Sequence, residues 1–123
     1  MAVKPVTSFG RSGLSDWLMQ RISAVIIAVY VLVMVGYLAT HAELSYAQWA
    51  ALHQQFWVRL LTLFTVLAIA AHAWIGIWAV LTDYVTVRLL GPIATPLRLA
   101  LVLGAIALIL AYVVWAIDIL WGV

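Results

Sequence analysis

The chain has 123 residues, of which 68% are hydrophobic and 8% charged, with a formal net charge of +2. Globular domains are about 45–50% apolar and about 25% charged, and a small one has too little interior to hide such an excess. With a mean hydropathy of +1.20, a soluble enzyme and a free nucleic-acid binder are excluded, and an all-α integral membrane protein is expected. Cysteine is absent, which removes disulfides, thiolate-held iron–sulfur clusters and covalently attached haem c.

A spanning helix needs about 20 mostly apolar residues. The first such stretch covers residues 22–40, uncharged throughout, with Arg21 at its start. The apolar run begins too late and is too long for a signal peptide. The connection that follows, residues 41–58, holds Ser45 with Gln48 three positions on, the pattern of a capping box. Tyr46, Trp49, Leu52, His53 and Phe56 recur there at near-helical spacing, which predicts a short amphipathic helix lying in the membrane interface. The second stretch covers residues 60–81, between Arg59 and Asp83, and His72 is its one strongly polar interior residue. The second connection, residues 85–96, carries Gly91-Pro92 and Thr95-Pro96, pairs that break helices and predict a turn. The third stretch covers residues 99–121 and is interrupted near its end by Asp118. Three spans leave room for one membrane-anchored domain, residues 1–123, with no internal repeat or linker.

Orientation follows from the basic residues. Lys4, Arg11 and Arg21 precede the first span, and the second connection holds Arg88 and Arg98 on the same side; Arg59 stands alone opposite. The positive-inside rule then places the N-terminus in the cytoplasm and the C-terminus in the periplasm. Trp17, Trp57, Trp115 and Trp121 fall near span ends, as belt residues do.

Few polar residues remain to carry chemistry. His72 sits close to mid-membrane, where an ionisable side chain is costly and marks a functional candidate. Imidazole there can ligate haem iron, relay a proton, or hydrogen-bond a neighbouring helix, and position alone leaves the three open. At about 100° per residue, Ala68, Gly76 and Ala79 share its side of the helix. Such small side chains suit either clearance for a flat macrocycle or ordinary helix packing. Asp83 falls on the same face, about 16 Å further toward the cytoplasmic side, with Tyr84 beside it. An acid and a phenol at that boundary can hydrogen-bond a lipid-soluble carbonyl compound, although each alone is also a normal span-end residue. Arg21, at the cytoplasmic start of the first span, is expected to share the level of Asp83 and Tyr84. Its guanidinium suits a carboxylate or haem propionate, or a lipid phosphate. His41 and His53 are expected to be solvated interface residues, and Asp118 is given no chemistry. With one deep histidine, a haem held by two imidazoles would take its other ligand from another chain.

These residues resemble a known family. Residues 72–85 (H-A-W-I-G-I-W-A-V-L-T-D-Y-V), residues 10–17 (G-R-S-G-L-S-D-W) with Arg21, residues 34–40 (M-V-G-Y-L-A-T), residues 43–46 with Trp49, and the terminal W-G-V look like the small hydrophobic membrane-anchor subunit, the D subunit, of bacterial succinate dehydrogenase. The resemblance covers nearly the whole chain. It implies a complex II in the bacterial inner membrane, with a flavoprotein subunit, an iron–sulfur subunit and two anchors. Electrons would pass from succinate to ubiquinone, in the tricarboxylic acid cycle and the respiratory chain. It also implies a haem b held between the anchors. His72 matches the axial ligand in this subunit, Arg21 an arginine at the haem propionates, Tyr84 the tyrosine that hydrogen-bonds ubiquinone, and Asp83 its acidic neighbour. The chain would not be an enzyme by itself. Asp118 departs from the apolar residues expected in its stretch, on the side away from these sites.

Three rivals stand beside this reading. One is the anchor of a quinol:fumarate reductase, although a single mid-membrane histidine argues against the kind with two haems. Another is a small proton-conducting subunit using His72 and Asp83, for which too few polar residues line a path. The last is a purely structural anchor whose His72 only bonds a neighbouring helix.

Overall fold

The structure, a computed structural model, describes residues 13–122. Lys4, Gly10 and Arg11, together with Val123, lie outside the described residues. All the described elements are helical: α1 Gly13–Thr40, α2 Tyr46–Gln54, α3 Phe56–Tyr84, α4 Val87–Leu90, a 3₁₀ turn Gly91–Ile93, and α5 Ala94–Trp121. Among them α1, α3 and α5 are long and apolar enough to cross a membrane, as expected for a multi-pass membrane protein.

The helices run longer than the apolar stretches. The 28 residues of α1 rise about 42 Å, against about 30 Å of hydrocarbon. Apolar patterning marks only the part that lipid demands. Outside it the helix continues, because each backbone N–H already has its partner one turn back. α1 therefore starts at Gly13 rather than near Ile22, and α3 ends at Tyr84 rather than at Leu81.

Local chemistry sets the joints. Ser45 caps α2: its Oγ accepts from the Gln48 N–H at 3.2 Å while Gln48 Oε1 accepts from the Ser45 N–H at 2.9 Å. Gln55, extended at φ −66° and ψ 133°, is the single residue between α2 and α3. Phe56 therefore opens α3 instead of continuing the amphipathic face of α2. The second connection breaks once, not twice. Gly91 takes φ +68° and Pro92 follows in the 3₁₀ turn, whereas Thr95-Pro96 sits inside the first turn of α5. A proline there costs nothing, since the first four N–H groups of a helix have no intrahelical acceptor.

α3 is the central element, with α1 packed on one side and α5 on the other, and α2 lies against α3 and α5. The buried residues are mainly small or hydroxylic: Ser23, Thr65, Ala68, Ala94 and Ala105. Lipid tails are as apolar as leucine, so helix association rests on close backbone approach and interhelical hydrogen bonds. Both are present. Ala68 and Gly76 let α1 close on α3, and Tyr30 Oη and Thr62 Oγ1 meet at 2.9 Å between the two helices. Trp17, Trp57, Trp115 and Trp121 are exposed, as belt residues need to be. α2 is tied back by Trp49, tilted against Tyr37 of α1.

Candidate functional site

The site is built on the α1–α3 pair. Its centre is His72, half-buried, whose Nδ1 lies 3.1 Å from Ser23 Oγ. Ser23 is only 2% exposed, and its hydroxyl also donates to the Gln20 carbonyl at 3.1 Å. Sequence reasoning missed Ser23. The available signal was a hydroxyl inside an otherwise unbroken apolar stretch.

The small residues beside His72 act first in packing. Ala68 is buried, and a Cβ built on Gly76 would stand 3.7 Å from Gln20 Nε2. That closeness is what lets Ser23 reach His72. A lateral groove of about 210 Å³ opens beside the pair, with Met19, Ile22, Ser23, Ala68 and Ala71 among its walls.

These contacts fix the register of the helices and correct one expectation. Antiparallel α1 and α3 meet at Ser23 and His72, so Arg21 lies about 3 Å further along the bundle axis. Asp83 lies about 16 Å beyond His72 in the same direction. Arg21 therefore does not share the level of Asp83 and Tyr84; they are separated by about 13 Å. The expectation failed because it counted from the edge of the apolar stretch, whereas α1 begins two turns earlier. Arg21 is exposed and its guanidinium stands 5.4 Å from the Trp17 ring centroid, a cation–π contact.

Asp83 and Tyr84 end α3 side by side, both exposed, Tyr84 at 66%. The turn after them is held by a contact that sequence reasoning also missed. Arg98 Nε donates to the Val85 carbonyl at 3.0 Å, and its Nη2 donates to the same oxygen. Val85 caps the C-terminus of α3, where carbonyls lack intrahelical donors and the helix dipole favours a cation.

The two remaining histidines differ from each other. His41 is exposed and stacks on Tyr37 with centroids 4.1 Å apart. His53 is half-buried rather than fully solvated; its Nδ1 donates to the Trp49 carbonyl at 2.9 Å.

Among the described residues no three His, Asp or Glu side chains gather to hold a metal ion. The donor set at the centre is one imidazole. Its Nδ1 is engaged by Ser23, and Nε2 has no hydrogen-bond partner among the described residues. The neighbouring Gln20 carboxamide leaves Oε1 buried and without a partner there. A haem iron needs just such an imidazole, bonded through one nitrogen to the protein and bare at the other, so the residues present fit one axial position.

The family described as the succinate dehydrogenase/fumarate reductase transmembrane subunit matches residues 2–114. The succinate dehydrogenase hydrophobic membrane anchor subunit of Coxiella burnetii (strain RSA 493 / Nine Mile phase I) is 39% identical over 111 residues, 90% of this chain and 90% of that relative.

Proposed function

The chain belongs to the succinate dehydrogenase/fumarate reductase transmembrane-subunit family, and we propose that it binds haem b jointly with a second anchor and forms part of a ubiquinone-reduction site. It does so as a membrane anchor in the bacterial inner membrane, with its N-terminus cytoplasmic. A flavoprotein and an iron–sulfur subunit complete the assembly on the cytoplasmic side. The observation that carries this reading is the His72 imidazole near the middle of α3, bonded to Ser23 through Nδ1 and without a hydrogen-bond partner at Nε2 among the described residues.

Haem b, when bound, supplies a one-electron store within the membrane. The residues of this chain would hold and surround it. His72 Nε2 would hold the haem iron, with a second ligand supplied by the partner anchor. Arg21, two residues from Ser23 on α1, would meet a haem propionate; the register set by Ser23 and His72 suits that role better than a place at the level of Tyr84. Tyr84 donates its phenolic O–H to a quinone carbonyl at the membrane surface, and Asp83 holds the adjacent charge or proton. Succinate oxidation lies in the partner subunits, because this chain contributes packing, one ligand and hydrogen-bond donors.

The hydroxyls of the spans favour an anchor over a proton-conducting subunit. Thr65 and Thr82 donate to carbonyls of their own helix, and Tyr30 and Thr62 satisfy each other. Haem content tests the proposal. The purified complex is expected to carry one b-type haem per copy of this chain, and the His72→Leu complex is expected to lose it or hold it by one ligand. A wild-type complex without haem would refute the haem reading.

A further inference from the structure

We propose that Ser23 is the positioning residue of the His72 site, fixing the imidazole as the Nδ1–H tautomer so that Nε2 faces outward as the lone-pair donor. The inference rests on His72 being an axial ligand.

The hydroxyl of Ser23 has one proton and two oxygen-side neighbours to satisfy. It lies 3.1 Å from the Gln20 backbone carbonyl and 3.1 Å from His72 Nδ1. A carbonyl can only accept. If the proton were turned to Nδ1, two lone-pair-bearing oxygens would face each other at 3.1 Å. The opposite arrangement satisfies every atom. Ser23 donates to Gln20, its Oγ accepts from Nδ1–H, and the imidazole proton is thereby assigned.

The remaining nitrogen supports the same choice. Were the proton on Nε2, an N–H donor would stand without an acceptor among the described residues, which is costly in an apolar environment. A bare Nε2 is instead the form that a metal ion takes. The hydrogen bond at Nδ1 also fixes the ring plane and strengthens Nε2 as an electron donor. Ser23 is suited to hold a ring in one orientation because it is nearly wholly buried and bonded on both sides.

Ser23→Thr and Ser23→Val are a shape-matched pair that differ in the hydroxyl. They are to be compared in the assembled, haem-bearing complex by potentiometric titration of the haem band. Ser23→Thr is expected to keep the wild-type midpoint potential. Ser23→Val is expected to shift it to a more positive value, because a weaker donor stabilises ferric iron less. Equal potentials in the two variants would overturn the proposal while leaving His72 as a ligand, whereas loss of haem in His72→Leu alone tests the ligand itself. If the variants do not assemble, the remote ring nitrogen of wild-type ferric haem can be read by electron spin echo spectroscopy. A quadrupole coupling typical of a hydrogen-bonded N–H supports the proposal, and one typical of a free N–H contradicts it.

Discussion

Tyr30 Oη and Thr62 Oγ1 meet at 2.9 Å across the α1–α3 pair, 32 residues apart in sequence. The bond lies beyond the Ser23–His72 contact, on the side away from Asp83 and on the same two helices, so two polar ties hold one packing face. Interhelical hydrogen bonds in membranes contribute about 0.6 kcal/mol on average and at most about 1.7. A double-mutant cycle of Tyr30→Phe and Thr62→Val, read by unfolding of the complex in mixed micelles, is expected to give a coupling of about 1 kcal/mol or less. Strict additivity would show that the two hydroxyls do not support each other.

Gly76 tests the closeness of the helices. A Cβ there would make ordinary van der Waals contact with Gln20, and alanine is a better helix former than glycine by about 1 kcal/mol. Gly76→Ala is therefore expected to leave haem content and thermal stability of the complex unchanged or slightly raised. Gly76→Leu is expected to push α1 away, stretch the Ser23–His72 bond and lower haem content. A Leu variant with normal haem would show that the site tolerates separation of the helices.

Arg98 holds the end of α3 through the Val85 carbonyl, two residues after Asp83 and next to Tyr84. Hydrogen bonds to charged groups contribute about 1.5–3 kcal/mol. Arg98→Gln is expected to loosen this turn and raise the KM for quinone roughly tenfold, while succinate oxidation with a soluble acceptor stays normal. Arg98→Lys should not restore it, because a point ammonium cannot present two N–H groups in a fixed fork. An unchanged KM for quinone in both variants would separate the turn from the proposed quinone site.

Tyr84→Phe removes the phenolic donor from an exposed position on which no hydrogen bond among the described residues depends. Loss of one hydrogen bond of about 1–1.5 kcal/mol corresponds to roughly a tenfold loss of quinone reduction. Reduction of a soluble acceptor by succinate is expected to persist. Loss of both activities together would mean failed assembly rather than a missing donor.

Much of this was legible in the chain because it is local. Three apolar stretches announced three helices, Ser45 and Gln48 announced the cap of α2, and His72 stood out as the polar residue deep in a span. What lay hidden depends on how one helix slides against another. Ser23 and His72 are 49 residues apart, and no local period encodes which serine meets which imidazole. The same gap misplaced Arg21, whose level was judged from where lipid-soluble residues begin rather than from where the helix begins. Arg98 looked like a topology signal, since only folding brings its guanidinium onto the Val85 carbonyl. Pro96 looked like a breaker because the first turn of a helix, which tolerates proline, cannot be distinguished from a turn without knowing that α5 starts at Ala94.

The most direct test is a dithionite-reduced minus oxidised spectrum of membranes carrying this chain with its partner anchor, repeated for His72→Leu. A low-spin b-type band is expected in the wild type, and it is expected to be lost, or converted to a five-coordinate form, in the variant. An unchanged low-spin band in His72→Leu would contradict that expectation.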